Sequence, residues 1–174
     1  MIDPRNYHTN ETLDDGTEIE IRAITPADGA SILEAFKGLD RKAVYRRFFA
    51  PKKELTKTDI KQLTEVDFSN VVALVATTDH ERVLGGGRYA VGGSSAPHVA
   101  ELAFLTAEDF RGRGVAGLVL KHLACLAEAA GLSQFEADVL AENQSMLAVF
   151  RRSGLPMRLV RDGATVHVTL SLPA

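Results

Sequence analysis

Between Phe110 and Gly117 the chain reads Phe-Arg-Gly-Arg-Gly-Val-Ala-Gly. An apolar run, Val99 to Thr106, leads into this turn. A helical stripe follows it, with Val115, Leu118, Val119, His122, Leu123 and Leu126 on one side and Gly131 at the expected stop. A strand that hands over to a helix in this way leaves the first backbone N–H groups without intrahelical acceptors, at the positive end of the helix dipole. Small residues there let an anion approach those groups, and Arg111 and Arg113 add charge at the mouth. The chemistry implied is the holding of a phosphate or pyrophosphate. The turn lacks the Gly-Lys-Ser/Thr closure of a P-loop and is not read as a Rossmann fingerprint.

A second candidate lies in the strand before that turn. Glu101 is the single charge in Val-Ala-Glu-Leu-Ala-Phe-Leu-Thr, and alternation puts it on the face of Ala103 and Leu105. A carboxylate among apolar neighbours is costly unless paired or functional, and burial raises its pKa toward the range of a general base. The other reading is a partly exposed strand glutamate paired with an arginine. Asn143, where a later strand gives way to a helix, is placed to cap that helix. His98 is either a turn residue or a second base, and His122 sits at the edge of an apolar stripe as a packing residue.

The elements that must position these residues follow from pattern. Residues 1–16 are polar and read as a flexible arm, with one domain expected over 17–174. Thr17 to Ile24 alternates as a strand, and Thr25-Pro26 opens a helix carrying Ile32, Leu33, Ala35, Phe36 and Leu39. Leu39 to Ala50 and Leu55 to Glu65 continue as helical stretches. Asn70 to Thr77 and Val83 to Val91 are strands, the second with Gly85, Gly86 and Gly87 where another segment approaches closely. After the central helix come a strand over Gln134 to Leu140, a helix ended by Gly154, and a hairpin turning at Asp162-Gly163.

Composition sets the outer limits. The 174 residues suit one domain, and 45% hydrophobic with 25% charged residues is an ordinary globular balance. A net charge of -3 gives no positive field for nucleic acid or an anionic membrane and mildly favours a cationic amine as substrate. The lone Cys125 excludes an internal disulfide, fits a reducing compartment and reads as a small buried apolar residue. No zinc-ligand spacing exists, so no metal is expected. A polar start and the lack of an apolar run of about 18 residues point to a cytoplasmic protein.

The pattern Arg111-x-x-Gly114-x-Ala116, set after a strand and before an amphipathic helix, resembles the GNAT superfamily of acyl-CoA-dependent N-acyltransferases. Leu39, Tyr45, Arg47, Phe48 and Phe49 form a Leu-x5-Tyr-x-Arg-Phe-Phe segment similar to the second helix of bacterial Pat-type protein lysine acetyltransferases. Asp40 and Ala43 stand where those proteins usually carry serine, and Tyr45, Phe48 and Phe49 equally make an ordinary core stripe. The resemblance implies an α/β (α+β) fold with a mixed, mostly antiparallel sheet of about six to seven strands, flanked by helices and splayed between the fourth and fifth. It implies acetyl-CoA as cofactor. Arg111, Gly112, Arg113, Gly114, Val115, Ala116 and Gly117 would grip the pyrophosphate, while the Phe104-Leu105-Thr106 backbone and Asn143 would hold the pantetheine arm.

By the same resemblance Glu101 is the general base, and the acceptor is a protein lysine or, as the alternative, a small-molecule amine. The expected assembly is a monomer or homodimer. One departure stands out: many relatives have Asn-x6-Tyr-x3-Gly, in which the tyrosine protonates the leaving thiolate, and here the residues are Asn143, Phe150 and Gly154. Phenylalanine has no proton to give. Either the thiolate leaves unaided, or Tyr45, Tyr89 or water serves, or the domain binds acyl-CoA without turnover.

Overall fold

The run Val-Val-Ala-Leu-Val-Ala-Thr, residues Val71–Thr77, has no wet face, and a strand of that kind needs cover on both sides. In the computed structural model, which describes residues 2–37, 56–78, 82–92, 98–106 and 112–173 without the side chains of 35–37, 105 and 106, it lies inside an eight-stranded sheet between two helical layers. The strands are β1 His8–Thr12, β2 Glu18–Ala23, β3 Val71–Thr77, β4 Val83–Val91, β5 Val99–Thr106, β6 Gln134–Leu140, β7 Met157–Asp162 and β8 Thr165–Ser171. The helices are α1 Gly29–Lys37, α2 Lys57–Thr64, α3 Val115–Ala129 and α4 Gln144–Arg152. In space the strands run β1-β2-β3-β4-β5-β6-β8-β7, and β5–β6 is the one parallel pair among them.

Alternation sorts the side chains between the two layers. On one face Ile21, Val72, Leu74, Leu102, Phe135 and Val168 meet α3 through Val119 and Leu123, and α4 through Leu147 and Phe150. On the other, Ala73 and Val75 meet Ile24, Ile32 and Leu33, with Ile60 and Leu63 of α2. Each such side chain contributes roughly 1.5–3 kcal/mol on burial. The second layer reaches β2, β3 and β4. Beyond it, the same face of β5, β6 and β8 carries Glu101, Glu136, Asp138 and His167.

Capping residues fix where the helices begin. Thr25 and Asp28 form a reciprocal capping box ahead of α1, and Asp28 also takes a bidentate pair from Arg22 at 2.9 and 2.7 Å. Burial pushes the Asp28 carboxyl up, but the bonds from Arg22 and Thr25 prevail and hold it below its ordinary range. Thr56 and Asp59 repeat the box ahead of α2.

The N-terminal segment differs from expectation. Residues 8–12 are not part of a loose arm; they pair along their whole length with β2, His8 opposite Arg22 and Thr12 opposite Glu18. The sheet therefore has eight strands rather than six or seven, and the strands expected to splay are β5 and β6. The sequence His-Thr-Asn-Glu-Thr shows no apolar alternation because β1 is an edge strand held by polar contacts. Glu11 Oε1 meets His122 Nε2 at 2.7 Å and Lys121 Nζ at 3.2 Å, and the Tyr7 hydroxyl meets His122 Nδ1 at 2.5 Å. His122 is thus a bolt between α3 and the first strand, buried as its stripe position implied. Cys125, expected in the core, is exposed.

Two of the three glycines of β4, Gly86 and Gly87, are approached closely by another segment, as read. A Cβ on Gly86 would meet the Leu74 carbonyl at 2.7 Å, and one on Gly87 would meet the Phe104 ring at 2.6 Å. The segment Leu39 to Ala50, with Tyr45, lies outside the described residues, as do Arg111 and residues 79–81 and 93–97.

Removing the bolt leaves two polar groups facing a small void. His122→Ala is expected to lower stability by about 2–3 kcal/mol. Thermal denaturation should show this as a fall in Tm of roughly 5–10 °C.

Candidate functional site

The parallel ladder between β5 and β6 holds for three residue pairs only: Val99 with Gln134, Ala100 with Phe135, Glu101 with Glu136. Past that point β6 stays with β8 as far as Leu140, and β5 stays with β4 as far as Thr106. The two strands therefore part, and the β6-facing side of Leu102 to Thr106 is left without a strand partner. Backbone N–H and C=O groups in that position need another partner. An extended ligand with amides of its own fits such a wedge, as the pantetheine reading of Phe104, Leu105 and Thr106 requires.

Because β5 and β6 are parallel, their C-terminal ends open at the same end of the wedge, and α3 and α4 each begin there. Gly114 is the residue before α3, with φ of 91° and no side-chain cap, and Gly112 has φ of 74°. Those left-handed values explain both glycines. The first intrahelical bond at this end runs from Leu118 N–H to the Gly114 carbonyl at 3.1 Å, so the N–H groups of Val115, Ala116 and Gly117 precede the ladder. An added Cβ at Gly112, Gly114 or Gly117 would meet nothing within 4 Å. Among the described residues nothing crowds these glycines, and free N–H groups at the positive end of a helix suit an anion such as a pyrophosphate.

Gly112, Gly114 and Gly117 also stand in G-x-G-x-x-G spacing, which the motif test on the sequence passes over. Topology separates the two cases. A dinucleotide fold surrounds that turn with a parallel sheet, whereas here antiparallel neighbours flank the one described parallel pair on both sides.

The remaining expected residues divide. Arg113 reaches toward the N-terminal hairpin: its Nε lies 2.8 Å and its terminal nitrogen 2.6 Å from Asp15, and it donates to the Thr17 hydroxyl at 2.9 Å. It ties the cradle to the turn between β1 and β2. Bonds from Thr17 and then from Arg113 pull the Asp15 carboxyl down to about 2. Asn143 caps α4, accepting from the Met146 N–H at 3.3 Å. Phe150 is buried, with its ring 6.3 Å from that of Phe104. Tyr89 is an inadequate substitute acid, because it lies 2% exposed in the core and burial raises its hydroxyl to about 12. His98 sits in a turn and receives the Ser133 N–H at its carbonyl, as the structural reading had it.

Glu101 is exposed, not buried as its apolar sequence neighbours suggested. It stands at the root of the wedge, on the face away from α3, with Arg88 of β4 on the same face. Burial lowers the pKa of Arg88, and the charge of Glu101 opposes that shift. Glu136, missed in the sequence, is its register neighbour, and Gln134 Nε2 reaches Glu136 at 3.3 Å. Asp138 lies on the same face and binds His167 at 2.8 Å, which raises the histidine above its ordinary range. The signal that could have found Glu136 is positional: Glu101 and Glu136 are each the third residue of a strand in a parallel pair.

Among the described residues no group of His, Cys, Asp and Glu is arranged to hold a metal ion, and no helix is long and apolar enough to cross a membrane. The model of the acetyltransferase (GNAT) family matches residues 41–155. An acetyltransferase Pat of Mycolicibacterium smegmatis is 29% identical over 135 residues, which is 77% of this chain and 40% of the relative. An acetyltransferase of Pseudomonas aeruginosa is 28% identical over 142 residues, 80% of this chain and 75% of that protein. The crystal structure of the GNAT domain of S. lividans PAT superposes with a TM-score of 0.86 at 30% identity, covering 95% of this chain and 97% of that one. The chain thus spans less than half the length of the mycobacterial relative and nearly all of the isolated domain.

The contact between Arg113 and Asp15 has a direct titration readout. In Arg113→Ala the Asp15 carboxyl should move from about 2 toward 3.8 without reaching it, because the Thr17 bonds remain. An NMR pH titration of Asp15 checks this. A carboxyl depressed in the folded state adds stability above its unfolded pKa, so this contribution should fade as pH falls from 3.8 through about 2.

Proposed function

The chain belongs to the acetyltransferase (GNAT) family, and on that premise we propose that it moves an acetyl group from acetyl-CoA to the primary amine of a protein lysine. Attack is direct, in a ternary complex, with Glu101 as general base. The observation that carries this reading is the parting of β5 and β6 at Glu101 and Glu136, beside the backbone donors at the start of α3.

Acetyl-CoA, when bound, supplies the acetyl group as a thioester. The amides of Gly112 to Gly117 would hold its pyrophosphate, with Arg111 beside them, and the Phe104-Leu105-Thr106 backbone and Asn143 would hold its pantetheine arm. A lysine amine has a pKa of about 10.4 and arrives protonated. Glu101 and Glu136 face that cation together, and the exposure of Glu101 leaves it open to an incoming side chain or to a water that relays the proton. The Leu39–Phe49 resemblance and the overlap with the S. lividans PAT domain support a protein lysine over a small amine.

A second reading has one observation in its favour. Phe150 gives the leaving thiolate no proton, which suits a domain that senses acyl-CoA without turnover.

Glu101→Gln separates the two. Acetyl transfer to lysine-bearing protein acceptors should fall by about 10²–10⁴-fold while the calorimetric affinity for acetyl-CoA is unchanged. Tight binding of acetyl-CoA with no product from wild-type protein, across protein and polyamine acceptors, would instead establish the sensor.

A further inference from the structure

The two edges of the sheet are built differently. β1 at one edge is His-Thr-Asn-Glu-Thr, polar throughout and secured to α3 through Glu11. β7 at the other is Met-Arg-Leu-Val-Arg-Asp, and Arg158 to Asp162 are all exposed. Among the described residues three large hydrophobic side chains are exposed, and two of them, Leu159 at 40% and Val160 at 50%, are adjacent on this strand. β7 has no lysine and no proline, its charges are Arg158, Arg161 and Asp162, and its register with β8 runs unbroken from Met157–Leu170 to Asp162–Thr165.

The charges on β7 show what fits it. Arg158 and Asp162 share the face of Val160, but four residues of strand separate them by about 13 Å, too far to pair within one chain. Their neighbours on β8 are the uncharged Thr169 and Thr165. A second β7 laid antiparallel about Val160 sets Val160 against its own copy and each Arg158 against the Asp162 of the other chain. Shifting the centre to Leu159 sets Arg158 against Val160, and centring between the two sets Arg158 against Arg161. Of these three registers, only the one about Val160 pairs opposite charges, and two-fold symmetry makes the pair twice.

We infer that β7 is a homodimer edge: two copies of this chain join β7 to β7 about Val160 and continue the sheet from one molecule into the next. The inference is independent of the acyl-transfer reading, and β7 lies three strands from β5. So short an interface implies a reversible dimer that forms with concentration.

Sedimentation equilibrium of the full chain, from micromolar to near-millimolar, tests it. Wild type should shift from monomer to dimer. Val160→Lys should stay monomeric with an unchanged circular dichroism spectrum, since the side chain it replaces is exposed. Arg158→Asp and Asp162→Arg should each abolish the dimer, and the double variant should restore it. A wild type that stays monomeric, a dimer that survives Val160→Lys, or single charge reversals without effect would each overturn the proposal. So would a double variant that fails to recover.

Discussion

A parallel strand pair that stops after three residues is the constraint from which the rest of this molecule follows. Had β5 and β6 stayed together to their ends, the sheet would have closed over the site. Instead each keeps its outer partner, β4 for one and β8 for the other, and the space between them opens toward the N-termini of two helices. The backbone that loses its ladder gains the ability to bind a chain-like ligand. Glu101 and Glu136 mark the last rung, so the carboxylates stand where the wedge begins rather than inside it.

Holding that wedge open is a matter of fixing α3, since the free N–H groups at the start of this helix border it. Apolar packing sets its distance from the sheet, but polar contacts to the N-terminal hairpin set it along its length. Arg113 holds its start to Asp15 and Thr17, and His122 holds its middle to Tyr7 and Glu11. Arg113 works as a brace. The described part of the cradle therefore relies on oriented backbone dipoles, which cost no side-chain entropy when an anion arrives.

Much of this architecture was legible in the chain, and the failures have identifiable physics. β3, β4, β5 and β6 announced themselves by apolar runs because they lie in the middle of the sheet. The turn before α3 was legible because glycines at positive φ are hard to replace. β1 was not, since an edge strand held by polar bonds has no hydrophobic period to detect. Glu101 was found for a reason that does not hold: its immediate apolar neighbours Ala100 and Leu102 alternate onto the opposite face, and the strand beside it contributes another carboxylate. Linear neighbours do not report what a sheet brings alongside. Glu136, 35 residues later in the numbering, could be placed next to Glu101 only by knowing the register.

The missing acid at Phe150 weighs less than the missing burial at Glu101 when the two proton transfers are compared. Freeing a lysine amine of pKa about 10.4 at neutral pH costs about 4.6 kcal/mol, whereas a free thiol of pKa about 8.5 gains only about 2 kcal/mol by reprotonation. The larger demand therefore falls on the base side of the reaction. On the proposed reading that demand is met by Glu101, which is exposed and has Glu136 as its register neighbour, so an incoming amine or a relaying water can reach it. On the leaving side Phe150 is buried against Phe104 and has no proton to give, which leaves the smaller of the two demands without a side-chain donor at that position. On that proposed reading the loss of the tyrosine hydroxyl costs the reaction less than the loss of Glu101 would.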